Sequence, residues 1–454
     1  MGLLNFENRA LITDLYQLTM LASYFQHNHN PIATFEMFIR HLPENRGYLI
    51  FAGLEQALDY LENLKFLPEE IEYLKSLPVF KHIPKEFFDF LKEFRFEGEV
   101  WALEEGEVFF AEEPILQVRA PLIQAQLVET YLLTIINFQS LIASKARRVV
   151  DSARGKQVVD FGTRRAHGPE ASVLSARACY IGGCVGTSNV YCAYKLGIPP
   201  VGTMAHSFVM SFPTELESFK KFQASFPEHT ILLIDTYDTI RSAHQVAEIK
   251  EKINGVRLDS GDLLQLSRTV RKILDQAGKK SVRIFASGDL NEYLIDELVR
   301  KKAPIDAFGV GTEMVTSKDA PALGGIYKLV EIETPQGTKY TLKLSSKKAT
   351  YPARKQVFRF KDENGTYAYD LIAGAWEKHP AKPLLKKVME KGKRLQPSPS
   401  IDEIQKKAWR ELEKFPPRIR RILNPGKYPV KYSPQLRKLR QKVVREIRRE
   451  QGLF

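Results

Sequence analysis

The chain has 454 residues and a net charge of +13, and 44% of its residues are hydrophobic and 27% charged. This composition is ordinary for a soluble globular protein, and the length predicts two or three domains. The longest apolar stretch, residues 131–143, is interrupted by Asn137 and Gln139 and is too short to cross a bilayer, so we expect no membrane partner.

Residues 1–125 have the pattern of a compact α/β unit. Residues 14–26 predict a helix with Thr13 as its N-cap. Its expected apolar face consists of Leu15, Leu18, Leu21 and Tyr24. Residues 99–119 alternate apolar and polar side chains, which indicates short antiparallel strands, and residues 121–150 then predict a long helical stretch.

A second unit, residues 126–325, has a different rhythm of β-like runs separated by helical patterns. The runs end near Phe161, Gly183, Gly202, Asp235, Arg257, Ala286 and Gly309. This alternation is typical of parallel sheets and barrels. Candidate site residues follow many of these runs instead of gathering at one switch point. The pattern therefore favours an irregular α/β barrel over an open doubly wound sheet.

The third unit, residues 326–454, begins with two predicted hairpins, and Asn364-Gly365 predicts a type I′ turn in the second. It ends in a basic tail: residues 381–454 hold 22 Lys and Arg against 7 Asp and Glu, a net of +15, so the remaining chain carries −2. A basic tail of this kind is typical of nucleic-acid binding. Apolar residues at helical spacing instead favour a helical surface that packs on the body. These residues are Ile401, Ile404, Trp409, Leu412 and Phe415.

Three cysteines, Cys179, Cys184 and Cys192, lie close together, and the N-terminus has no basic segment followed by an apolar run. Their odd number and the lack of a signal peptide predict reduced thiols in the cytoplasm. Their spacing does not complete a CxxC-type metal site, so we expect all three to be buried in the core.

Four polar clusters follow β-like runs and supply groups that bind anions. They read Asp160-Phe-Gly-Thr-Arg-Arg165, Gly202-Thr-Met-Ala-His-Ser207, Gly255-Val-Arg-Leu-Asp-Ser-Gly-Asp262 and Phe308-Gly-Val-Gly-Thr312. Arginine forks bind carboxylates and phosphates, and glycines let backbone N–H groups approach an anion closely. Four such clusters at strand ends indicate an enzyme site.

The glycines of Ala286-Ser-Gly-Asp289 and Gly309-Val-Gly-Thr312 predict a phosphate site on the late strands, with tight strand-to-helix turns as the alternative. Arg257 and Asp259 alternate along a strand and so point to one side. They either line the site or form a structural ion pair. Asp262 is expected to cap the helix that follows.

His206 follows a predicted strand and has the hydroxyl residues Thr203 and Ser207 on either side of it in the sequence. This position favours a residue of the active site over a residue of the core. The sequence leaves open whether it is a base, a metal ligand or a nucleophile, although no HxH or HExxH spacing supports a metal. Asp235 and Asp238 end another strand and are candidates to orient the imidazole.

These motifs, in this order, resemble those of nicotinate phosphoribosyltransferases along most of the chain. The matching segments are Thr13-Asp-Leu-Tyr-Gln17, Phe161-Gly-Thr-Arg-Arg-Ala166, Gly202-Thr-Met-Ala-His-Ser207, Val256-Arg-Leu-Asp-Ser-Gly-Asp262, Ala286-Ser-Gly-Asp289 and Phe308-Gly-Val-Gly-Thr312. The resemblance implies an N-terminal α/β sandwich, an irregular TIM-like α/β barrel and a C-terminal extension of hairpins and helices. It also implies ATP-coupled transfer of phosphoribosyl from 5-phosphoribosyl 1-diphosphate to nicotinate, in NAD salvage. The expected assembly is a homodimer or larger homo-oligomer with shared active sites.

The resemblance further implies roles for single residues. ATP would phosphorylate His206. That Asp235 holds the imidazole is our own inference and does not follow from the resemblance. Nicotinate would contact Thr203, Arg257 and, from the neighbouring subunit, Tyr16. Arg164 is assigned to nicotinate and Arg165 to the phosphoribosyl group, but the sequence leaves open which of the two meets the ring carboxylate and which a phosphate. The phosphoribosyl group would contact Arg165, Asp259, Gly288, Asp289, Gly309, Gly311 and Thr312. Mg²⁺ is expected with the diphosphate. No zinc site is expected, because no cysteine follows Cys192.

The segment before the histidine indicates which pyridine is the substrate. Nicotinamide-using relatives place an acidic residue there, but no Asp or Glu lies between Lys195 and His206. An acid at that place would repel a carboxylate, so its absence favours nicotinate. Phosphoribosyltransferases that use nicotinamide or quinolinate are the enzyme alternatives. A nucleic-acid-binding protein that acts through the basic tail is the alternative from another class.

Overall fold

The computed structural model describes residues 9–344 and 350–453. The first unit contains helices α1–α4 and strands β1–β5. In chain order these are α1 Leu15–Gln26, β1 Ile32–Ile39, β2 Leu49–Ile50, α2 Leu54–Asn63, α3 Pro68–Ser76, α4 Lys85–Lys92, β3 Glu99–Ala102, β4 Val108–Phe109 and β5 Pro114–Pro121. Helix α1 lies where the sequence predicts it, but its N-cap is Asp14, not Thr13. Leu15 is 51% exposed, so the buried face centres on Leu18 and Leu21.

The middle of the chain alternates helices and short strands. The elements are α5 Leu122–Leu127, α6 Glu129–Ser152, β6 Gln157–Asp160, α7 Pro169–Ile181, α8 Val190–Leu196, α9 His206–Met210, α10 Glu215–Ser225, β7 Ile231–Leu233, α11 Thr239–Glu248, β8 Gly255–Leu258, α12 Leu263–Gln276, β9 Arg283–Ala286, α13 Glu292–Arg300, β10 Ala307–Val310 and α14 Thr312–Val315. Helix α12 begins where predicted, because the Asp262 carboxylate accepts the N–H groups of Leu264 and Gln265.

The C-terminal part adds two hairpins, short strands and two helices. These are β11 Gly325–Thr334, β12 Gly337–Tyr340, β13 Lys355–Lys361, β14 Tyr367–Gly374, β15 Lys382–Pro383, β16 Lys386–Glu390, β17 Lys393–Arg394, α15 Ile401–Glu413, β18 Val430–Tyr432 and α16 Pro434–Glu450. The predicted type I′ turn is wrong. Such a turn needs positive φ at both central residues, and of Asn364 and Gly365 only the glycine has it, at +79°. Instead the Asp362 carboxylate accepts the N–H groups of Asn364 and Thr366.

Five parallel strands form the sheet that carries the site, in the order β6-β10-β9-β8-β7. Two single-residue parallel bridges, Asp160 to Thr187 and Thr187 to Pro200, extend it beyond β6. Six of the seven predicted runs correspond to these parallel segments. The run predicted to end near Gly183 is wrong, because the residues before it form helix α7, and the remaining parallel segment is the bridge at Thr187. Within the described residues no hydrogen-bonded pairing joins Pro200 to β7, so the structure gives a mixed α/β fold with a parallel sheet, and a closed barrel stays a prediction.

An antiparallel sheet of seven strands combines both ends of the chain, in the order β12-β11-β1-β5-β3-β16-β17. Strand β1 pairs with β11 through Ala33 opposite Ile332, and β3 pairs with β16 through Ala102 opposite Lys386. The predicted unit boundary at residue 326 therefore separates strands that lie in one sheet. A four-stranded sheet, β15-β13-β14-β18, and the pair β2-β4 complete the strand architecture of the described residues.

The basic tail packs on the body through the apolar residues that the sequence picked out. Ile404, Leu412 and Phe415 are buried in the core around the parallel sheet. Trp409 is partly buried, with its ring 3.5 Å from the Arg147 guanidinium carbon. The three cysteines are also buried, as predicted.

A buried ion cluster joins α6 to the helix that follows the Ser287–Leu290 loop. It consists of Arg46, Lys145, Arg148, Glu292 and Asp319. Lys145 lies 2.6 Å from Glu292 and 2.9 Å from Asp319, and neither Lys145 nor Glu292 has an exposed side chain. Arg148 contacts Glu292 at 3.1 Å, and Arg46 contacts Asp319 at 2.9 Å. The cluster holds three cations against two carboxylates, so it carries a net positive charge.

Candidate active site

A cavity of about 810 Å³ opens at the carboxyl ends of the parallel strands. Eleven of the thirteen residues that the sequence predicted for the site line it. They are Arg164, Arg165, Thr203, His206, Arg257, Asp259, Gly288, Asp289, Gly309, Gly311 and Thr312. Parallel strands end at one edge of a sheet, which explains how residues nearly 150 positions apart in the sequence meet there.

Arg257 is held by hydrogen bonds to three other segments of the chain. Its Nε donates to the Ser287 hydroxyl at 2.9 Å. Its Nη1 donates to the Thr203 hydroxyl at 2.7 Å and to the Met204 carbonyl at 3.2 Å. Its Nη2 donates to Asp259 at 2.9 Å. The structure thus places the predicted carboxylate ligands Thr203 and Arg257 side by side.

Asp259 connects the arginine to the histidine. Its Oδ1 accepts from Arg257 and from the Ser287 hydroxyl, and its Oδ2 lies 3.8 Å from His206 Nε2. Burial alone would raise the pKa of Asp259, but the Ser287 hydroxyl and the Arg257 guanidinium hold it below its usual value. Asp259 is therefore ionised over a wide pH range.

The imidazole of His206 has a different orienting partner from the one predicted. Its Nδ1 lies 3.1 Å from the Thr236 hydroxyl, whereas no hydrogen bond or ion pair of the described residues joins His206 to Asp235. The Asp235 carboxylate instead accepts from the Asp259 N–H at 3.1 Å and the Ser260 hydroxyl at 2.6 Å. Asp235 thus holds the backbone after β8.

The two glycine clusters bring bare backbone to the cavity wall. Gly288 has a φ of +85°, and a Cβ there would lie 1.8 Å from the Asp259 carbonyl oxygen. Asp289 follows with a φ of +46°. A Cβ on Gly309 would lie 2.4 Å from the Phe161 ring. Larger residues at Gly288 and Gly309 would clash with the protein's own Asp259 backbone and Phe161 ring, so both positions need glycine for the close packing of these segments, which is the alternative that the sequence left open.

Two exposed arginines lie at the cavity, and of the thirteen predicted residues Asp235 and Tyr16 do not line it. Arg164 and Arg165 occupy the 3₁₀ turn Thr163–Arg165, and both line the cavity. Tyr16 lies on α1, half exposed and outside the cavity of its own chain, so its predicted role requires a second copy. Partial burial, followed by the nearby charges of Glu129 and Asp14, raises the pKa of its phenol.

Ser287 and Thr236 are the polar contacts that sequence reasoning missed. Ser287 lies in the cluster Ala286-Ser-Gly-Asp289, and Thr236 lies between the candidates Asp235 and Asp238, but only the charged and glycine residues around them were predicted for the site. A hydroxyl within three residues of the end of a parallel strand, close in sequence to a carboxylate, was the available signal. In the part of the chain that the structure describes, no helix is both long and apolar enough to span a membrane.

Family models and relatives agree with the motif assignment. Residues 11–137 match the model of the nicotinate phosphoribosyltransferase (NAPRTase) N-terminal domain, residues 156–335 that of the NAPRTase family, and residues 378–440 that of the C-terminal domain. The chain belongs to the nicotinate phosphoribosyltransferase family. The expected family resemblance is thereby confirmed.

Three members of the nicotinate phosphoribosyltransferase family illustrate the extent of the similarity. Nicotinate phosphoribosyltransferase pncB2 of Mycobacterium tuberculosis is 44% identical over 435 residues, which cover 94% of this chain and 92% of the relative. The Bacillus subtilis enzyme is 39% identical over 461 residues and covers 94% of this chain and 93% of its own. The crystal structure of human nicotinic acid phosphoribosyltransferase superposes with a TM-score of 0.84 at 27% identity and covers 95% and 99% of the two chains.

Proposed function

We propose that this enzyme transfers phosphoribosyl from 5-phosphoribosyl 1-diphosphate to nicotinate, with release of pyrophosphate, in NAD salvage. The observation that carries the proposal is the cavity itself. It combines an arginine held by polar partners, two further arginines, a histidine and two glycine-rich turns at one sheet edge. The Mycobacterium tuberculosis and Bacillus subtilis relatives of this chain are named nicotinate phosphoribosyltransferases.

The site chemistry suits the two substrates. Arg257 and Thr203 offer N–H and O–H donors to the ring carboxylate. The turns at Gly288 and Gly311, with Arg165, offer donors and positive charge to the phosphates. The pyridine nitrogen attacks C1 of the ribose with its own lone pair while the bond to the diphosphate oxygen breaks. The transition state is expected to be oxocarbenium-like, so the protein acts mainly by positioning and electrostatics.

His206 is the proposed acceptor of the ATP γ-phosphate. His206 lines the cavity, and in the tautomer with the proton on Nδ1 that N–H donates to Thr236. Nε2 then keeps its lone pair and can form the N–P bond as the bond to the ADP oxygen breaks. Loss of the phosphate to water would later return the imidazole. We therefore propose that ATP hydrolysis is coupled to transfer through a phosphohistidine.

Mg²⁺ fits the donor set of this cavity. Asp259 and Asp289 contribute carboxylates to its wall, and Mg²⁺ is usually held by one or two carboxylates together with substrate phosphates. When bound, the ion would offset the charge of the diphosphate. The residues that would hold it are Asp259 and Asp289.

Three further expectations, on the barrel, the assembly and the cellular location, complete the proposal. We infer that the seven parallel segments form the irregular barrel, because they follow one another in the order expected for one. Because Tyr16 lies outside its own cavity, a homodimer or larger homo-oligomer would be needed to bring it to a site. The free, buried cysteines support a cytoplasmic location.

The decisive assay measures nicotinate mononucleotide from nicotinate, phosphoribosyl diphosphate and Mg²⁺, with and without ATP. Nicotinamide and quinolinate are run in parallel as competing pyridines. We expect product from nicotinate, and more of it with ATP. Turnover of nicotinamide or quinolinate in place of nicotinate would refute the substrate assignment, and product yield indifferent to ATP would refute the coupling.

A further inference from the structure

Ser287 lies at the centre of the polar contacts in the cavity, although it carries no charge. It follows β9 directly, is only 4% exposed, and donates its backbone N–H to the Leu258 carbonyl at 2.8 Å. Its hydroxyl accepts from Arg257 Nε and donates to Asp259 Oδ1. The single hydroxyl therefore joins the cation and the anion of the site.

The contacts of Arg257 show what that hydroxyl does. A guanidinium has five N–H groups. Four hydrogen bonds engage Arg257, to Ser287, Thr203, Met204 and Asp259. The bond from Nε to Ser287 is the one made at the base of the guanidinium fork, so it fixes the direction in which the Nη atoms face the cavity.

The same hydroxyl also orients Asp259. This carboxylate is close to both Arg257 and His206, at 2.9 and 3.8 Å. Without the Ser287 donor, Oδ1 would keep only the arginine, and the carboxylate could turn toward the histidine. Ser287 thus keeps Asp259 on Arg257, whose second Nη2 hydrogen has no hydrogen bond among the described residues and is left to donate to a ring carboxylate.

We propose that Ser287 is a positioning residue that sets the geometry of the Arg257–Asp259 pair for binding of the pyridine carboxylate. This inference rests on the proposed function and names a residue through which that function acts. Ser287 need not touch nicotinate itself. Its effect passes through the arginine, which distinguishes it from a serine that only contributes to folding.

The expected effects of removing the hydroxyl are specific. In Ser287→Ala the KM for nicotinate should rise about tenfold with kcat within about twofold of wild type, because carboxylate binding is weakened in ground and transition states alike. A change confined to KM distinguishes lost positioning of the carboxylate site from a general loss of folded enzyme, which would lower kcat as well.

The experiment compares Ser287→Ala and Ser287→Cys with a matched control, Ser267→Ala. Ser267 is fully buried in α12, and its hydroxyl donates only to the carbonyl of Leu264. Steady-state rates are measured against nicotinate at saturating phosphoribosyl diphosphate and ATP, so that KM and kcat are obtained separately. The thiol of Ser287→Cys is a weak donor, so this variant should fall between wild type and alanine. It carries the test if the alanine variant does not fold.

The outcomes separate this inference from the proposed function. A raised KM with kcat nearly unchanged in the Ser287 variants, and an unchanged KM in Ser267→Ala, would support it. An active wild type whose Ser287 variants lose only thermal stability, or lose kcat with KM unchanged, would overturn the positioning role and leave the proposed function intact. A wild type that makes no product from nicotinate would overturn the proposed function and this inference with it.

Discussion

The buried ion cluster predicts that two substitutions at contacting residues reduce the free energy of unfolding by different amounts. Glu292→Gln leaves three cations, Arg46, Lys145 and Arg148, facing a single carboxylate. Breaking a buried pair in this way costs about 3–5 kcal/mol, because an uncompensated charge stays buried. Glu292 has no exposed side-chain area, so water cannot replace the lost partner.

Lys145→Met removes a cation from the same cluster and should cost less. Arg148 still contacts Glu292 at 3.1 Å, and Arg46 still contacts Asp319 at 2.9 Å. Two cations then balance two carboxylates, and methionine fills a similar volume. The expected loss is that of charge-assisted hydrogen bonds, about 1.5–3 kcal/mol.

Denaturant unfolding followed by circular dichroism measures both variants. Lys252→Met serves as the control, because Lys252 and Glu228 form a pair at 3.0 Å with both side chains largely exposed, and its midpoint should match wild type. If Lys145→Met destabilises the protein as much as Glu292→Gln does, the balance of buried charge does not govern this region and the reasoning is wrong.

Three further predictions concern the site and its surroundings. His206→Ala should abolish ATP hydrolysis and labelling by γ-labelled ATP, and labelling that persists in this variant would exclude His206 as the acceptor. Arg257→Ala should raise the KM for nicotinate by about 10- to 200-fold, since charged hydrogen bonds contribute about 1.5–3 kcal/mol, and an unchanged KM would place the carboxylate elsewhere. Burial, followed by the charge of Asp370, raises the pKa of Glu113 well above its usual value. The stability that Glu113 contributes is therefore fully present at a pH below its pKa in the unfolded chain. That stability is lost as the pH rises through its pKa in the folded protein. Glu113→Gln should therefore raise the melting temperature above that of wild type at pH 8 by about 2 °C or more, and an equal or larger gain at pH 5 would contradict this assignment.

The sequence predicted the strand ends of the parallel sheet well, because a buried strand followed by a polar cluster is a local pattern. Asp160, Ala286 and Val310 end three strands at or near the predicted positions. The run predicted to end near Gly183 is wrong, because its apolar residues lie on helix α7, and the neighbouring parallel segment is the single-residue bridge at Thr187.

Side-chain partners were harder to predict than positions. Asp235 and Thr236 are adjacent, and the sequence cannot say which of them faces the imidazole, because adjacent residues at a strand end differ in direction. A charged residue was the natural choice, and the structure places the hydroxyl there. Pairing of β1 with β11 was likewise beyond prediction, since it depends on how the intervening chain packs.

The antiparallel sheet has a consequence for synthesis on the ribosome. Strands β1, β5 and β3 emerge early, but their two outer neighbours, β11 and β16, lie after residue 324. At about 5–20 residues per second, both edges stay unpaired for roughly 10–50 s. Open edges pair readily with other chains. The side chains of β1 are nearly all buried in the finished sheet, so this strand is the segment that a nascent-chain chaperone would have to cover.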